Sequence, residues 1–301
     1  FLRAFDRPEG LRNYQWRIYA AADRCRVGLL AGRSLRTFAC GAGFEERSAF
    51  PLQEVTELAV AFHPRSDGIV IATPERVELR EADGGRRELS GLVDGQPRGV
   101  CFDPSGDLLW ITFEDARGRN HVAALDPASL RRIGVVAVPG EADSYHNLHA
   151  HPVPPVLAVE VSCGQDGTWL SFVEHTREGL VLLPRCIERP GDPFCLAGFA
   201  PDGRRFATVD LQRVQLREWP GCAVVEEVGP PRGQLFDWSS SYVGDQIAAV
   251  SISEADDSYH VLLFDGDLEL ESAHAWNSGD QRSLFDVQGL PGERLLLLGD
   301  L

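Results

Sequence analysis

The chain has 301 residues and a formal net charge of −16, from 45 acidic residues against 29 basic ones. That balance opposes nucleic-acid binding, which rests on clustered cations that neutralise phosphates, and an acidic surface is repelled by anionic membranes. Hydrophobic residues make up 44% of the chain, yet no run approaches the roughly 18 to 20 apolar residues that cross a bilayer.

Two residue types are absent. There is no Met, and all 29 basic residues are Arg, so a Schiff-base lysine, a P-loop lysine or the ATP-contacting lysine of a kinase is excluded. A chain that begins at Phe1 without Met is expected to have been processed or excised from something longer. Its first residues, Phe1 to Asp6, lack the basic flank and apolar core of a signal peptide. The seven cysteines are scattered, odd in number and never spaced C-x-x-C, which suggests neither zinc nor a disulfide framework. A reducing, cytoplasmic setting is the expectation.

In chain order, Phe1 to Asp6 reads as a short strand cut off by Arg7-Pro8-Glu9-Gly10. Four strands then fill residues 13–54. Next come units at about 55–93 and 97–138. A unit at 144–189 has His149-Ala150-His151-Pro152-Val153-Pro154-Pro155 in place of the usual turn. Two more occupy about 194–228 and 235–275, and a last one begins at Ser283 and reaches Leu298 with only two strands of its own. No stretch has a helical period long enough for a substantial helix.

The units repeat one pattern. Phe199-Ala200-Pro201-Asp202-Gly203 is a turn between apolar runs, followed by Val214-Gln215-Leu216-Arg217-Glu218, which alternates as a half-buried antiparallel strand does. The pattern recurs as Phe62-His63-Pro64-Arg65-Ser66-Asp67-Gly68 with Val77-Glu78-Leu79-Arg80-Glu81, and as Phe102-Asp103-Pro104-Ser105-Gly106 with Val122 to Asp126. A period of roughly 40 to 45 residues is the mark of stacked propeller blades.

These turns and third strands resemble the WD40-type β-propeller repeat over most of the chain. The Gly-His and Trp-Asp signatures are missing, and Arg80-Glu81 and Arg217-Glu218 stand where Trp-Asp would be expected. The resemblance implies one all-β domain over residues 1–301, a propeller of seven four-stranded antiparallel blades. Its ring would be closed by the Phe1 to Asp6 strand pairing with the C-terminal strands.

Few constellations suggest chemistry. His146, His149 and His151 form the densest group of possible ligands, but in a strand only His149 and His151 share a face, and no metal or cofactor is expected. There is no Gly-x-Ser-x-Gly elbow, and Ser239, Ser240 and Ser241 after Trp238 read as strand or turn residues. Glu141-Ala142-Asp143-Ser144-Tyr145-His146 and Glu254-Ala255-Asp256-Asp257-Ser258-Tyr259-His260 are near copies. They fall where the loop entering one blade and the loop between the second and third strands of another share an end. The reading is therefore a non-catalytic interaction platform that binds a protein or peptide, with a basic segment, through Tyr145, His146, Tyr259, His260 and Trp238. The alternatives are a sensor or regulatory module of a larger protein, or a metal-assisted hydrolase or lactonase at the channel mouth.

Overall fold

The structure, a computed structural model, describes residues 18–20, 26–31, 34–40, 44–52, 58–81, 85–276, 284–290 and 294–299. Contacts divide the chain into two compact units. The central unit comprises Tyr19–Asp23 and Val55–Pro193; the terminal unit comprises Phe1–Ile18, Arg24–Glu54 and Phe194–Leu301.

The repeating element is a four-stranded antiparallel meander in which sequence neighbours pair. The first sheet holds β1 (Ile18–Ala20), β2 (Arg26–Ala31), β3 (Ser34–Cys40) and β4 (Phe44–Pro51). In the central unit follow β5 (Ala59–Phe62), β6 (Ile69–Thr73), β7 (Arg76–Arg80) and β8 (Arg86–Glu88). Next are β9 (Gln96–Phe102), β10 (Leu109–Glu114), β11 (Asn120–Asp126) and β12 (Arg131–Ala137), then β13 (Tyr145–Ala150), β14 (Val156–Ser162), β15 (Gly167–Thr176) and β16 (Gly179–Pro190). The terminal unit adds β17 (Phe194–Phe199), β18 (Arg205–Asp210), β19 (Arg213–Glu218) and β20 (Val224–Val228), and a sheet of β21 (Gln234–Val243), β22 (Gln246–Ser253), β23 (Tyr259–Phe264) and β24 (Leu270–Trp276). A last pair, β25 (Leu284–Leu290) and β26 (Arg294–Gly299), completes the set.

These meanders are the blades of an all-β propeller fold, and their limits fall within a few residues of the sequence repeats. The described residues form six complete blades rather than the seven expected, because the seventh sheet has only two strands. Phe1 to Asp6, expected to complete it, lie outside the described residues. No helix among the described residues is long and apolar enough to cross a membrane.

The turns show why the repeat folds as it does. Ala200 N–H reaches Arg205 O (2.9 Å), Gly203 N–H reaches Ala200 O (2.9 Å), and Gly203 takes a φ of +71°. Pro201 presets the first turn residue while glycine supplies the left-handed one. The turn after Phe102 closes the same way, and there Gly106 is needed twice. Its φ is +75°, and a Cβ on it would stand 2.9 Å from the His63 ring.

In the central unit the first residue of each turn between a sheet's first and second strands also carries an acceptor for the amide two residues on. His63 Nδ1 accepts from Arg65 N–H (3.1 Å), Asp103 Oδ2 from Ser105 N–H (3.3 Å), and His151 Nδ1 from Val153 N–H (3.1 Å). His151 is thus a buried turn residue at the repeat position of His63 and Asp103.

Alternation along the strands means something different from the half-buried pattern. In β10, Leu109 and Ile111 pack with Val70, Val77 and Leu125 on one side, while Trp110 packs with Val122, Leu157 and Val159 on the other. Both faces of an inner strand are covered by neighbouring sheets, so β6 and β10 read as near-continuous apolar runs. In the terminal unit Leu216, Ala249, Leu262 and Phe264 form one inter-sheet core, and Val250, Val261 and Val287 another.

In place of a Trp-Asp signature, two third strands, β7 and β19, carry an arginine held by the residue two positions earlier, on the same face. In β7 the Glu78 carboxylate, 2% exposed, accepts from Arg80 Nε (2.8 Å) and pairs with Arg86. In β19 Arg217 Nη2 donates to Gln215 Oε1 (2.6 Å) and Nη1 to Cys222 O (2.9 Å).

Candidate interaction surface

The two near-copies with Asp-Ser-Tyr-His share local structure. Asp143 (φ +57°) and Asp257 (φ +54°) take the left-handed conformation just before a strand, which Asp tolerates better than most residues. Each strand enters at the same end of its own sheet, β13 as first strand and β23 as third. Tyr145 and His146 belong to the central unit; Tyr259, His260 and Trp238 belong to the terminal one.

In the central unit the segment is partly neutralised and tied down. Arg98, nearly buried, pairs with Glu114 (3.0 Å) and Asp143 (2.9 Å), and Asp143 N–H donates to Glu114 Oε2 (2.8 Å). The nearby Asp115 pairs with Arg119 (2.6 Å) and lies 3.1 Å from His121 Nε2; the Arg119 hydrogen bond is the first cause of a carboxyl held far below its usual range. Tyr145 stands out at 57% exposed.

His146, on the other face of β13, is 7% exposed and cannot meet a partner. Its Nε2 lies 3.2 Å from Asn120 Oδ1, and Asn120 Nδ2 donates to Glu141 O (2.9 Å). Burial, and then the charge of Arg98, lowers the His146 pKa to about 3. The neutral ring donates through Nε2, while its buried Nδ1 has no hydrogen-bond partner. His149 is half-buried, and no group of three His, Cys, Asp or Glu among the described residues could hold a metal ion.

The terminal-unit segment is un-neutralised. Ser253 N–H reaches Ser258 O (2.9 Å), and the Ser258 hydroxyl donates to Asp256 Oδ1 (2.7 Å), the leading cause of a lowered Asp256 carboxyl. His260 is half-buried with Nε2 3.2 Å from Ser258 Oγ, so it braces this turn. Among the described residues Glu254, Asp256 and Asp257 have no arginine partner. From Gly233 to Trp276 the chain carries Asp237, Asp245, Glu254, Asp256, Asp257, Asp265, Asp267, Glu269 and Glu271, nine carboxylates with no arginine among them. Nine of the sixteen net negative charges therefore sit on one sheet and its turns. One of them, Asp267, is met from outside by Arg205 (3.4 Å).

Apolar groups lie within this field. Leu235, Ile252, Tyr259 and Trp276 stand directly opposite one another across the four strands at the end where the acidic turn sits. Leu235 is 40% exposed, whereas Tyr259 and Trp276 are half-buried against Val250, Val261 and Val287. Phe236 N–H donates to Leu211 O (3.0 Å), bringing the 41% exposed Leu211 alongside, and Glu254 N–H donates to Gly233 O (2.9 Å). Trp238, also on β21, is 45% exposed.

Residue type singled out the aromatic residues as candidates. Residue type did not single out Leu211, Leu235 and Asp237 as candidates, since backbone pairing places Leu211 beside β21; the available signal was the arginine-free run from Gly233 to Trp276.

No family model and no curated protein matches the sequence. Among solved structures the chain is similar to one in the crystal structure of the mitotic checkpoint complex, at 11% identity and a TM-score of 0.56, covering 79% of this chain and 69% of that one. At that identity the likeness shows the fold alone, a WD40-like β-propeller.

Proposed function

We propose that the chain is a non-catalytic interaction platform that docks a protein or peptide with a basic segment on the β21–β24 sheet of the terminal unit. The observation that carries this reading is the acidic turn of Glu254, Asp256 and Asp257, with no arginine partner among the described residues, at the end of the sheet where Leu235 is exposed, together with Asp237 beside the exposed Trp238. Such a field draws a cationic segment in at long range, and exposed apolar and aromatic groups then supply the short-range affinity. The structural neighbour is a chain of a multiprotein complex, which favours the same class, although fold alone does not carry function. Tyr145 is a second, separate contact in the central unit, where Arg98 already pairs with Glu114 and Asp143. The platform works in the cytoplasm, alone or as the regulatory module of a longer polypeptide.

The test is capture of partners from native cells, followed by titration calorimetry of the recovered partner against the wild-type chain and a Leu235→Ser/Trp238→Ala variant. The expected loss is about 2 kcal/mol or more, the scale of interface anchors. An unchanged affinity for the folded variant contradicts the reading. Tyr259→Ala is a poorer probe, because Tyr259 also packs against the core.

A further inference from the structure

Strand β21 is interrupted at the residues just described. Between the pairs Phe236↔Ser251 and Ser240↔Ala249, β21 has Asp237, Trp238 and Ser239 where β22 has Val250 alone. Two extra residues cannot join the ladder, so the strand bulges, and bulges re-aim side chains. Ser239 turns inward, buried, and its hydroxyl accepts the Val287 N–H (2.9 Å). Trp238 turns out to 45% exposure. The Asp237 carboxylate folds back to accept the Trp238 N–H (2.8 Å), so it sits beside the residue that carries the indole. No arginine among the described residues pairs with it, and burial pushes its carboxyl above the usual value.

A half-buried carboxylate with no arginine partner among the described residues, next to an exposed indole, is a site that wants one particular kind of group. Resting on the platform reading, we propose that the Asp237–Trp238 bulge is a receptor for an arginine side chain of the partner, flanked by an aliphatic residue that packs on Leu235 and Leu211. A guanidinium can hydrogen-bond a carboxylate along its edge while its flat face lies on an indole, which an ammonium cannot do. The sheet supplies no arginine of its own to occupy the place, since none occurs between Gly233 and Trp276.

The experiment uses the full chain and two fluorescein-labelled peptides, Gly-Ser-Leu-Arg-Leu-Ser-Gly and the same peptide with citrulline, a neutral isostere, in place of arginine. Fluorescence polarisation should show the arginine peptide binding about tenfold tighter, the scale of a charge-assisted, stacked contact. Asp237→Asn should erase that preference, Trp238→Ala should weaken both, and Trp238→Phe should retain part. In wild-type chain labelled with nitrogen-15, the indole resonance that disappears in Trp238→Phe should shift on adding the arginine peptide and stay still with citrulline. This second readout decides the matter if a variant fails to fold. Equal binding of the two peptides, no binding at all, or a preference that survives Asp237→Asn overturns the inference. A native partner that binds wild type and Asp237→Asn equally also overturns it while leaving the platform reading intact; a preference for arginine without any recoverable partner does the reverse.

Discussion

A neutral histidine buried beside an arginine makes stability depend on pH. His146 has a pKa lowered to about 3 from an ordinary 6.5, first by burial and then by Arg98. Unfolding lets the ring take up a proton, so the unfolded state binds more protons between these values. The neutral ring's stabilising share is whole above about pH 6.5 and is lost as the pH falls toward 3, at up to about 1.4 kcal/mol per pH unit for one proton. Urea denaturation across that range should therefore show a steeper loss for wild type than for His146→Asn. Parallel curves would place the histidine elsewhere. Glu78 gives a second prediction at this scale. Glu78→Ala leaves Arg80 without its buried carboxylate and should cost about 3 kcal/mol. Glu78→Gln, which installs the residue that Gln215 already is at the same place in β19, should cost about 1 kcal/mol. Equal losses for the two substitutions would mean that the carboxylate's charge, which both remove, and not the hydrogen bond that Gln retains, sets the effect.

Between strands, the attachment of β25 to β21 is made by side chains. Ser239 Oγ accepts Val287 N–H (2.9 Å) and Ser241 Oγ accepts Gly289 N–H (3.1 Å), so two alternate hydroxyls serve two alternate amides. Ser241→Ala should cost about 1 to 3 kcal/mol, the penalty of a buried donor left unsatisfied, with Gly289 exchanging its amide hydrogen faster than in wild type. Unchanged exchange at Gly289 would sink this account of the seam. The blade frame itself was open to reading, because Pro and Gly at the turns and the near-identical Arg76 to Glu81 and Arg213 to Glu218 strands are local signals. Burial of β10 on both faces was not, since a strand carries no mark of how many sheets will cover it. Nor was the fate of His146: Tyr145 and His146 alternate, but which faces inward is decided by Asn120 and Arg98 from the neighbouring sheet. The bulge at Asp237 depends on pairing three residues against one, an offset that exists only once β22 is in place.

For the molecule as a whole, the proposed docking makes the uneven charge the property that governs encounter. With nine carboxylates between Gly233 and Trp276 and no arginine, association with a basic partner should slow as salt rises, because the field is screened beyond about 8 Å at physiological ionic strength. Dissociation, which the proposal assigns to the short-range contacts of Leu235 and Trp238, should change little. Stopped-flow rates at low and high salt check this, and a salt effect confined to dissociation would contradict it. The most direct test of the docking surface is hydrogen–deuterium exchange of the whole chain with and without its captured partner. The account predicts slower exchange in the partner's presence at Leu235 to Trp238 and at the Ser253 to Tyr259 turn, with the outer turns after Phe102 and Phe199 unchanged. Protection confined to those outer turns, with the β21 bulge exchanging as before, would contradict it.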